Sequence, residues 1–342
     1  MIYGLAREAL FALDPEHAHE LTLRTFARFP RLATAPFRGA VKDDPVELLG
    51  LRFRNRVGLA AGLDKNGDCI EAWDRLGFGF VEVGTVTPRP QPGNPKPRMF
   101  RLPEHRAVIN RLGFNNKGVD PLVARVREVR CQAVLGINIG KNADTPIEAA
   151  ADDYEACLRK VHRWAGYVTV NISSPNTKNL RELQEQAPLR ALLQRLRRVR
   201  EELAQKDGRR VPMLVKLSPD LAPGELGRIG ATARELGING LIATNTTIQR
   251  PGLGEARHAG EAGGLSGAPL KPLALAALRT LRRELGAGFP LIGVGGIVDG
   301  ADAREHRDAG ADLVQIYTGF IYRGPALIAE CVRALHPAAA VR

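Results

Sequence analysis

The chain has 342 residues, 44% of them apolar and 25% charged, and its 36 glycines and 23 prolines are scattered, a globular composition that excludes disordered and collagen-like chains. No charge-free apolar run reaches the roughly 18 residues of a membrane-spanning helix, and Arg7 and Glu8 interrupt any signal-peptide core, so neither a span nor a secretion signal is expected. A net charge of +12 favours anionic partners (phosphates, carboxylates, nucleic acid or anionic lipid) without choosing among them. The four cysteines, Cys69, Cys131, Cys157 and Cys331, are widely spaced with no C-x-x-C, which reads as reduced core thiols in a cytosolic compartment rather than a zinc site or a disulfide framework.

Ile2, Leu5, Ala9 or Leu10, and Leu13 fall on one face of a short helix. Asp14 then serves as N-cap, Pro15 suits the first helical position, and Glu16 complements the helix dipole, so a second helix is predicted to run to Phe29 and stop before Pro30. Residues 1–30 are thus expected to form a helical hairpin and 31–52 a linker, with the remainder, 53–342, as one unit. In that unit eight β-branched runs alternate with helix-period sequence: Arg56–Ala60, Phe80–Gly84, Val134–Ile139, Val168–Ile172, Met213–Leu217, Leu241–Thr244, Leu291–Val294 and Leu313–Tyr317. Helices are predicted over 66–76, 147–164, 186–205, 224–236, 271–285 and 301–309, and the alternation argues for an α/β fold, a (β/α)8 TIM barrel. The connection of about fifty residues between the second and third strands carries a proline-rich segment at 88–97 and a predicted hairpin, Met99–Leu102 with Arg106–Ile109, over the barrel mouth.

Barrel active sites sit just after the strands, and here those positions offer amides, hydroxyls and lysines, with no paired carboxylates and no metal cage. Gly295-Gly296 after the seventh strand and Thr318-Gly319 after the eighth read either as tight turns or as a phosphate seat, with 263–267 lending further N–H donors. No G-x-G-x-x-G follows a strand, and no G-x-x-x-x-G-K-[ST] exists. Lys216, at the end of a buried strand, either meets an anion or snorkels to solvent; Lys65 is either a surface lysine or a carboxylate anchor. Asn110, Asn171, Asn176 and Asn245 match the edge of a pyrimidine-like ring or are ordinary turn residues. Ser173-Ser174-Pro175 reads as a turn, with no hydrolase elbow around it; a serine there can act as a base if its proton is relayed onward, and Thr177 is close in sequence.

Six ordered motifs, 60–67 (AAGLDKNG), 84–88 (GTVTP), 110–116 (NRLGFNN), 171–177 (NISSPNT), 216–219 (KLSP) and 293–297 (GVGGI), together resemble the dihydroorotate dehydrogenases in their class 2, quinone-linked, membrane-associated branch. The resemblance implies FMN held by Ala61, Gly62, Leu63, Asp64, Lys65, Thr85, Asn138, Asn171, Lys216, Thr244, Gly267, Gly296, Tyr317 and Thr318. It implies contacts to dihydroorotate or orotate from Lys65, Asn110, Arg111, Leu112, Gly113, Phe114, Asn171, Asn176, Asn245 and Thr246, with Ser174 as the base where the cytosolic branch has cysteine. Ser174 would take a proton from C5 of dihydroorotate as hydride leaves C6 for the flavin, and a Lys216 charge would stabilise the reduced ring. By the same resemblance the N-terminal hairpin forms a quinone access tunnel on an anionic membrane surface, at the cytoplasmic face of the cell membrane, with His19, Arg101 and Tyr317 near the quinone; no metal and no nucleic acid are expected. The competing readings are an FMN-dependent tRNA dihydrouridine synthase, which lacks here its loop cysteine and RNA-binding domain, and a non-enzymatic barrel for a phosphorylated ligand.

Overall fold

The computed structural model describes residues 2–336 and opens with two helices, α1 (Ile2–Phe11) and α2 (Pro15–Arg28). The Asp14 carboxylate accepts from the Glu16 and His17 backbone N–H groups at 3.0 Å each, and Pro15 occupies the first turn of α2, where it has no N–H to lose. Residues 31–52, expected to be a linker, are instead structured. Pro30, which stops α2, also starts the short α3 (Pro30–Thr34), and β1 (Val46–Leu48) pairs antiparallel with β2 (Leu51–Phe53) through a tight turn whose Leu49 and Gly50 both have positive φ. Three-residue strands are too short to show a period. Their apolar side chains, Phe53 among them, nevertheless pack with Phe80, Tyr167, Leu214, Ile242 and Ile292, and so close the floor of the barrel.

The remaining elements follow in order. They are β3 (Val57–Leu59), α4 (Ile70–Leu76), β4 (Phe80–Val86), β5 (Met99–Leu102), β6 (Ala107–Asn110), α5 (Val119–Glu128), β7 (Val134–Ile139), α6 (Ala150–Val161), β8 (Tyr167–Asn171), α7 (Gln186–Asp207), β9 (Met213–Leu217), α8 (Pro223–Glu235), β10 (Gly240–Ala243), β11 (Gly264–Gly267), α9 (Lys271–Leu285), β12 (Leu291–Val294), α10 (Gly300–Asp308), β13 (Leu313–Ile316), α11 (Thr318–Arg323) and α12 (Ala326–Leu335). Strands β3, β4, β7, β8, β9, β10, β12 and β13 hydrogen-bond in that cyclic order, all parallel, and close into a barrel. These are the eight runs expected from the sequence, three with identical ends. The helix α5 was not anticipated, because its Val119, Leu122 and Val126 face lies inside the long connection; α4 starts at Ile70 rather than 66 because Asp64 captures the N–H groups of Asp68 and Cys69.

Across the mouth β5 and β6 form the expected hairpin, with the second strand starting one residue late because Arg106 takes a left-handed turn conformation. A third strand joins them: β11 pairs antiparallel with β6, from Gly264 opposite Asn110 to Gly267 opposite Ala107. Gly264 is required there, since a Cβ would sit 1.9 Å from Thr246 Oγ1. Among the described residues no helix is long and apolar enough to cross a membrane, no His/Cys/Asp/Glu group could hold a metal, and the four cysteines are unpaired.

One acid lies inside the barrel. Glu82 on β4 is fully buried and accepts from Asn138 Nδ2 (2.8 Å), Tyr167 OH (2.9 Å) and Gln315 Nε2 (2.8 Å). Three donors around one carboxylate satisfy a charge that would otherwise be prohibitive to bury. Glu82→Leu strands those donors, and its expected cost is about 3–5 kcal/mol, read as a shift of the denaturant unfolding midpoint.

Candidate active site

The Glu82 network continues upward to the mouth. Thr85 Oγ1 donates to Asn138 Oδ1 (2.6 Å), Asn171 Nδ2 donates to Thr85 Oγ1 (2.9 Å), and Asn245 Nδ2 donates to Ser173 Oγ (3.0 Å), which itself donates to Asn171 Oδ1 (3.1 Å). Strands β4, β7, β8 and the loop after β10 therefore hold their amides and hydroxyls in one fixed chain, oriented before any ligand arrives. On the other side Asn176 Nδ2 donates to the backbone oxygen of Asn110 at 3.0 Å, which ties the loop after β8 to the end of β6.

These groups line a cavity at the C-terminal end of the barrel with about 950 Å³ of space, partly open to solvent. Of the residues expected to hold flavin, Ala61, Gly62, Lys65, Thr85, Asn171, Lys216, Thr244, Gly267, Gly296, Tyr317 and Thr318 face it. Of those expected to hold substrate, Lys65, Asn110, Leu112, Gly113, Phe114, Asn171, Asn176, Asn245 and Thr246 do, and Ser174 faces it as well. Four others do not line it. The Asp64 carboxylate turns inward to accept from Asp68 N and Cys69 N (2.8 Å each) and Trp73 Nε1 (3.0 Å), so it caps the start of α4. Leu63 faces a different, apolar cavity. Asn138 lies one layer down, occupied by Thr85 and Glu82. The Arg111 side chain points outward, paired with Glu261 at 2.7 Å and stacked 4.8 Å from the Phe100 ring centroid.

Sequence reasoning missed Gln315, whose side chain lies under the cavity, Ser266, which accepts from Thr318 Oγ1 at 2.8 Å, and Glu82. For Glu82 and Gln315 a signal existed: Glu82 is the one charged residue of its strand and Gln315 the one polar residue of its own, and such a residue must have a partner.

The electrostatics favour anions. Neither Lys65 nor Lys216 has a hydrogen-bond or ion-pair partner among the described residues, yet both are buried. Burial pushes the Lys65 ammonium down to about 8, with the Glu16 charge opposing and the Arg98 charge adding to the drop. Burial likewise lowers Lys216, opposed by Glu82. At the rim Gly267, Gly295, Gly296 and Gly319 expose main chain with no side chain in front of it.

The second cavity has about 1780 Å³ of space with its open side included, is mostly apolar, and is lined largely by α1, α2 and the segment 33–37. His19, Arg101 and Tyr317 all face it, and Tyr317 faces the polar cavity too. Burial, and then the Lys65 charge, push His19 down to about 3, so its imidazole is neutral. Arg101 lies 4.6 Å from the Phe11 ring centroid and donates to the backbone oxygens of Leu10 and Leu13.

The fold and this site define a (β/α)8 barrel with a polar cavity at its C-terminal end, carrying two buried lysines unpaired among the described residues, and an adjoining apolar chamber. A family model described as dihydroorotate dehydrogenase matches residues 45–338, and the chain belongs to that family. Two relatives named dihydroorotate dehydrogenase (quinone) are similar over nearly the whole chain. The one from Aromatoleum aromaticum is 57% identical over 334 residues, covering 98% of this chain and 95% of the relative. The one from Leptothrix cholodnii is 58% identical over 338 residues, covering 97% and 98%. The crystal structure of the Eimeria tenella enzyme in complex with ferulenol superposes with a TM-score of 0.85 at 38% identity, covering 94% of this chain and 90% of that one.

Proposed function

We propose that this chain oxidises dihydroorotate to orotate and delivers the two electrons to a quinone, with FMN as the flavin between them. The observation that carries the reading is the pair of cavities, one polar and one apolar, that share Tyr317 as a wall. A polar acid and an apolar oxidant need separate chambers against a common carrier. The family match lends no support to the tRNA-modifying or purely binding barrels.

The cavity fits FMN in its donor set. Lys216, Thr85, Asn171 and the main chain at Ala61 and Gly62 offer hydrogen bonds to a ring, and Gly267, Gly296 and Thr318 offer a glycine-rich rim to a phosphate. When bound, FMN supplies the two-electron acceptor that the side chains themselves lack. Lys65 anchors the substrate carboxylate, while Asn110, Asn171, Asn176 and Asn245 fix the ring by its amide edges. Ser174 Oγ accepts the proton from C5 as its own hydroxyl proton passes to solvent through the open side of the cavity. The backbone N–H of Asn176 already donates to this oxygen at 3.2 Å, which orients its lone pairs.

Lys65 sets a pH limit. Its ammonium is charged below about 8 and neutral above it, so kcat/KM for dihydroorotate is expected to fall as pH rises through about 8. Lys65→Met removes that limb, lowers kcat/KM throughout, and leaves quinone saturation unchanged. Steady-state profiles with each substrate varied in turn check this.

Leu5, Leu13, Leu21, Phe29 and Leu32 are exposed on the N-terminal helical segment, beside the exposed Arg24 and Arg31. Those arginines pair with Glu20 and Glu71, and the exposed apolar side chains around them support the reading of a peripheral protein on an anionic bilayer at the cytoplasmic face of the cell membrane. The deciding experiment is anaerobic: dihydroorotate should bleach the flavin absorbance of the purified protein, and a soluble quinone analogue should restore it. Flavin that stays oxidised with dihydroorotate would overturn the substrate assignment.

A further inference from the structure

The loop that carries Ser174 has no regular structure between the end of β8 at Asn171 and the helical turn beginning at Leu180, so hydrogen bonds from other elements must fix its position. The described contacts supply one junction in particular. Arg181, two residues beyond that loop, donates from Nε to the Ser173 backbone oxygen at 3.1 Å, from Nη2 to the Thr246 backbone oxygen at 3.1 Å, and from Nη1 to Asp220 Oδ2 at 2.8 Å. Asp220 in turn accepts from Thr247 Oγ1 and, at 3.1 Å, from the Ile248 N–H. One guanidinium and one carboxylate thereby join the loops after β8, β9 and β10. Neither side chain lines the cavity.

We propose that the Arg181–Asp220 pair is a positioning device for Ser174, holding the peptide between Ser173 and Ser174 at a fixed height against Thr246 on the substrate side; this rests on the reading of Ser174 as the proton acceptor. The geometry needs an arginine. Its planar fork reaches three acceptors at once in directions that are set by the guanidinium itself, whereas a lysine is a point donor on a flexible stem. Asp220 keeps the fork in plane and is itself fixed by the loop after β10, so the three loops move together or not at all. A serine base acts only within hydrogen-bond reach of the carbon acid it deprotonates, so a displacement of the Ser173 carbonyl passes directly to the reaction.

The test uses flavin-loaded, full-length protein in anaerobic stopped flow. Arg181→Gln is expected to slow saturating flavin reduction by dihydroorotate about 10²-fold, the effect of a displacement near 1 Å. The half-saturating dihydroorotate concentration and the rate of reoxidation by a quinone analogue should stay within about threefold of the parent. In a Ser174→Ala background the same change should cost less than about threefold, because the group it positions is already gone. An undiminished loss in that background, an equal slowing of reoxidation, or a full reduction rate in Arg181→Gln would each overturn the proposal. Should Arg181→Gln fail to fold, Asp220→Asn, which removes the charge and turns one of the two accepting oxygens into an N–H donor, decides by the same three readouts. Full-speed reduction in Ser174→Ala alone would instead remove the base assignment, and so separates the two failures.

Discussion

Ser174→Ala is expected to slow flavin reduction by dihydroorotate by about 10²–10⁴-fold, the range for loss of a positioned general base. Flavin content, and reoxidation by quinone, should be unchanged. The side chain is 5% exposed and receives one backbone N–H, so its removal leaves neither a large cavity nor a stranded charge. A hydroxyl is a poor base near neutral pH, so in the parent enzyme the saturated rate should climb with pH while kcat/KM turns down through about 8 as free Lys65 loses its proton. The two profiles separate because one reports the complex and the other the free enzyme. Ser174→Cys sharpens the test: a thiol ionises more readily than a hydroxyl, so its saturated rate should level off at a lower pH. A full rate of flavin reduction in Ser174→Ala would sink the role.

The barrel was legible because parallel strands buried on both faces leave nearly continuous apolar runs: Leu291–Val294 is apolar end to end, and Val134–Ile139 and Met213–Leu217 are each broken by one polar residue, Asn138 and Lys216. The residues gathered in the polar cavity were legible because they follow those strands. What was not legible depends on contacts far apart in the chain. The strand β11 exists because Gly264–Gly267 finds β6 more than 150 residues earlier, and nothing local in those four residues specifies it. Asp64 stands in the middle of a cavity-lining motif, yet its carboxylate serves the start of α4, a direction that only the folded turn reveals. Arg181 and Asp220 lie in unremarkable polar sequence, and their partners become visible only once three loops converge.

Removing residues 1–29 is expected to abolish quinone reduction and vesicle binding while flavin and its reduction by dihydroorotate persist. The argument is one of provenance. No residue lining the polar cavity precedes Ala60, whereas most residues lining the apolar one lie between Tyr3 and Phe37. Among the contacts that anchor the helices, Tyr3 OH donates to the Ile321 backbone oxygen at 2.5 Å, the Phe26 ring meets Trp73 at 5.2 Å, Arg101 donates to the Leu10 and Leu13 backbone oxygens, and Glu16 pairs with Arg98 at 2.7 Å. The last of these is a buried ion pair. Burial would raise the Glu16 carboxyl, but the Arg98 fork and Lys96 hold it below the usual range, so the pair stays ionised. Arg98 also donates to the Pro92 and Asn94 backbone oxygens at 2.7 Å each, and Asn94 reaches the Asn176 backbone oxygen at 3.2 Å, so the truncated protein keeps the substrate side of this chain while losing its tie to α2. Deletion brings solvent to Arg98, which then needs no carboxylate partner, and the Lys65 ammonium loses a nearby negative charge. Loss of flavin on truncation would instead make the helices a structural part of the barrel and remove them from the electron path.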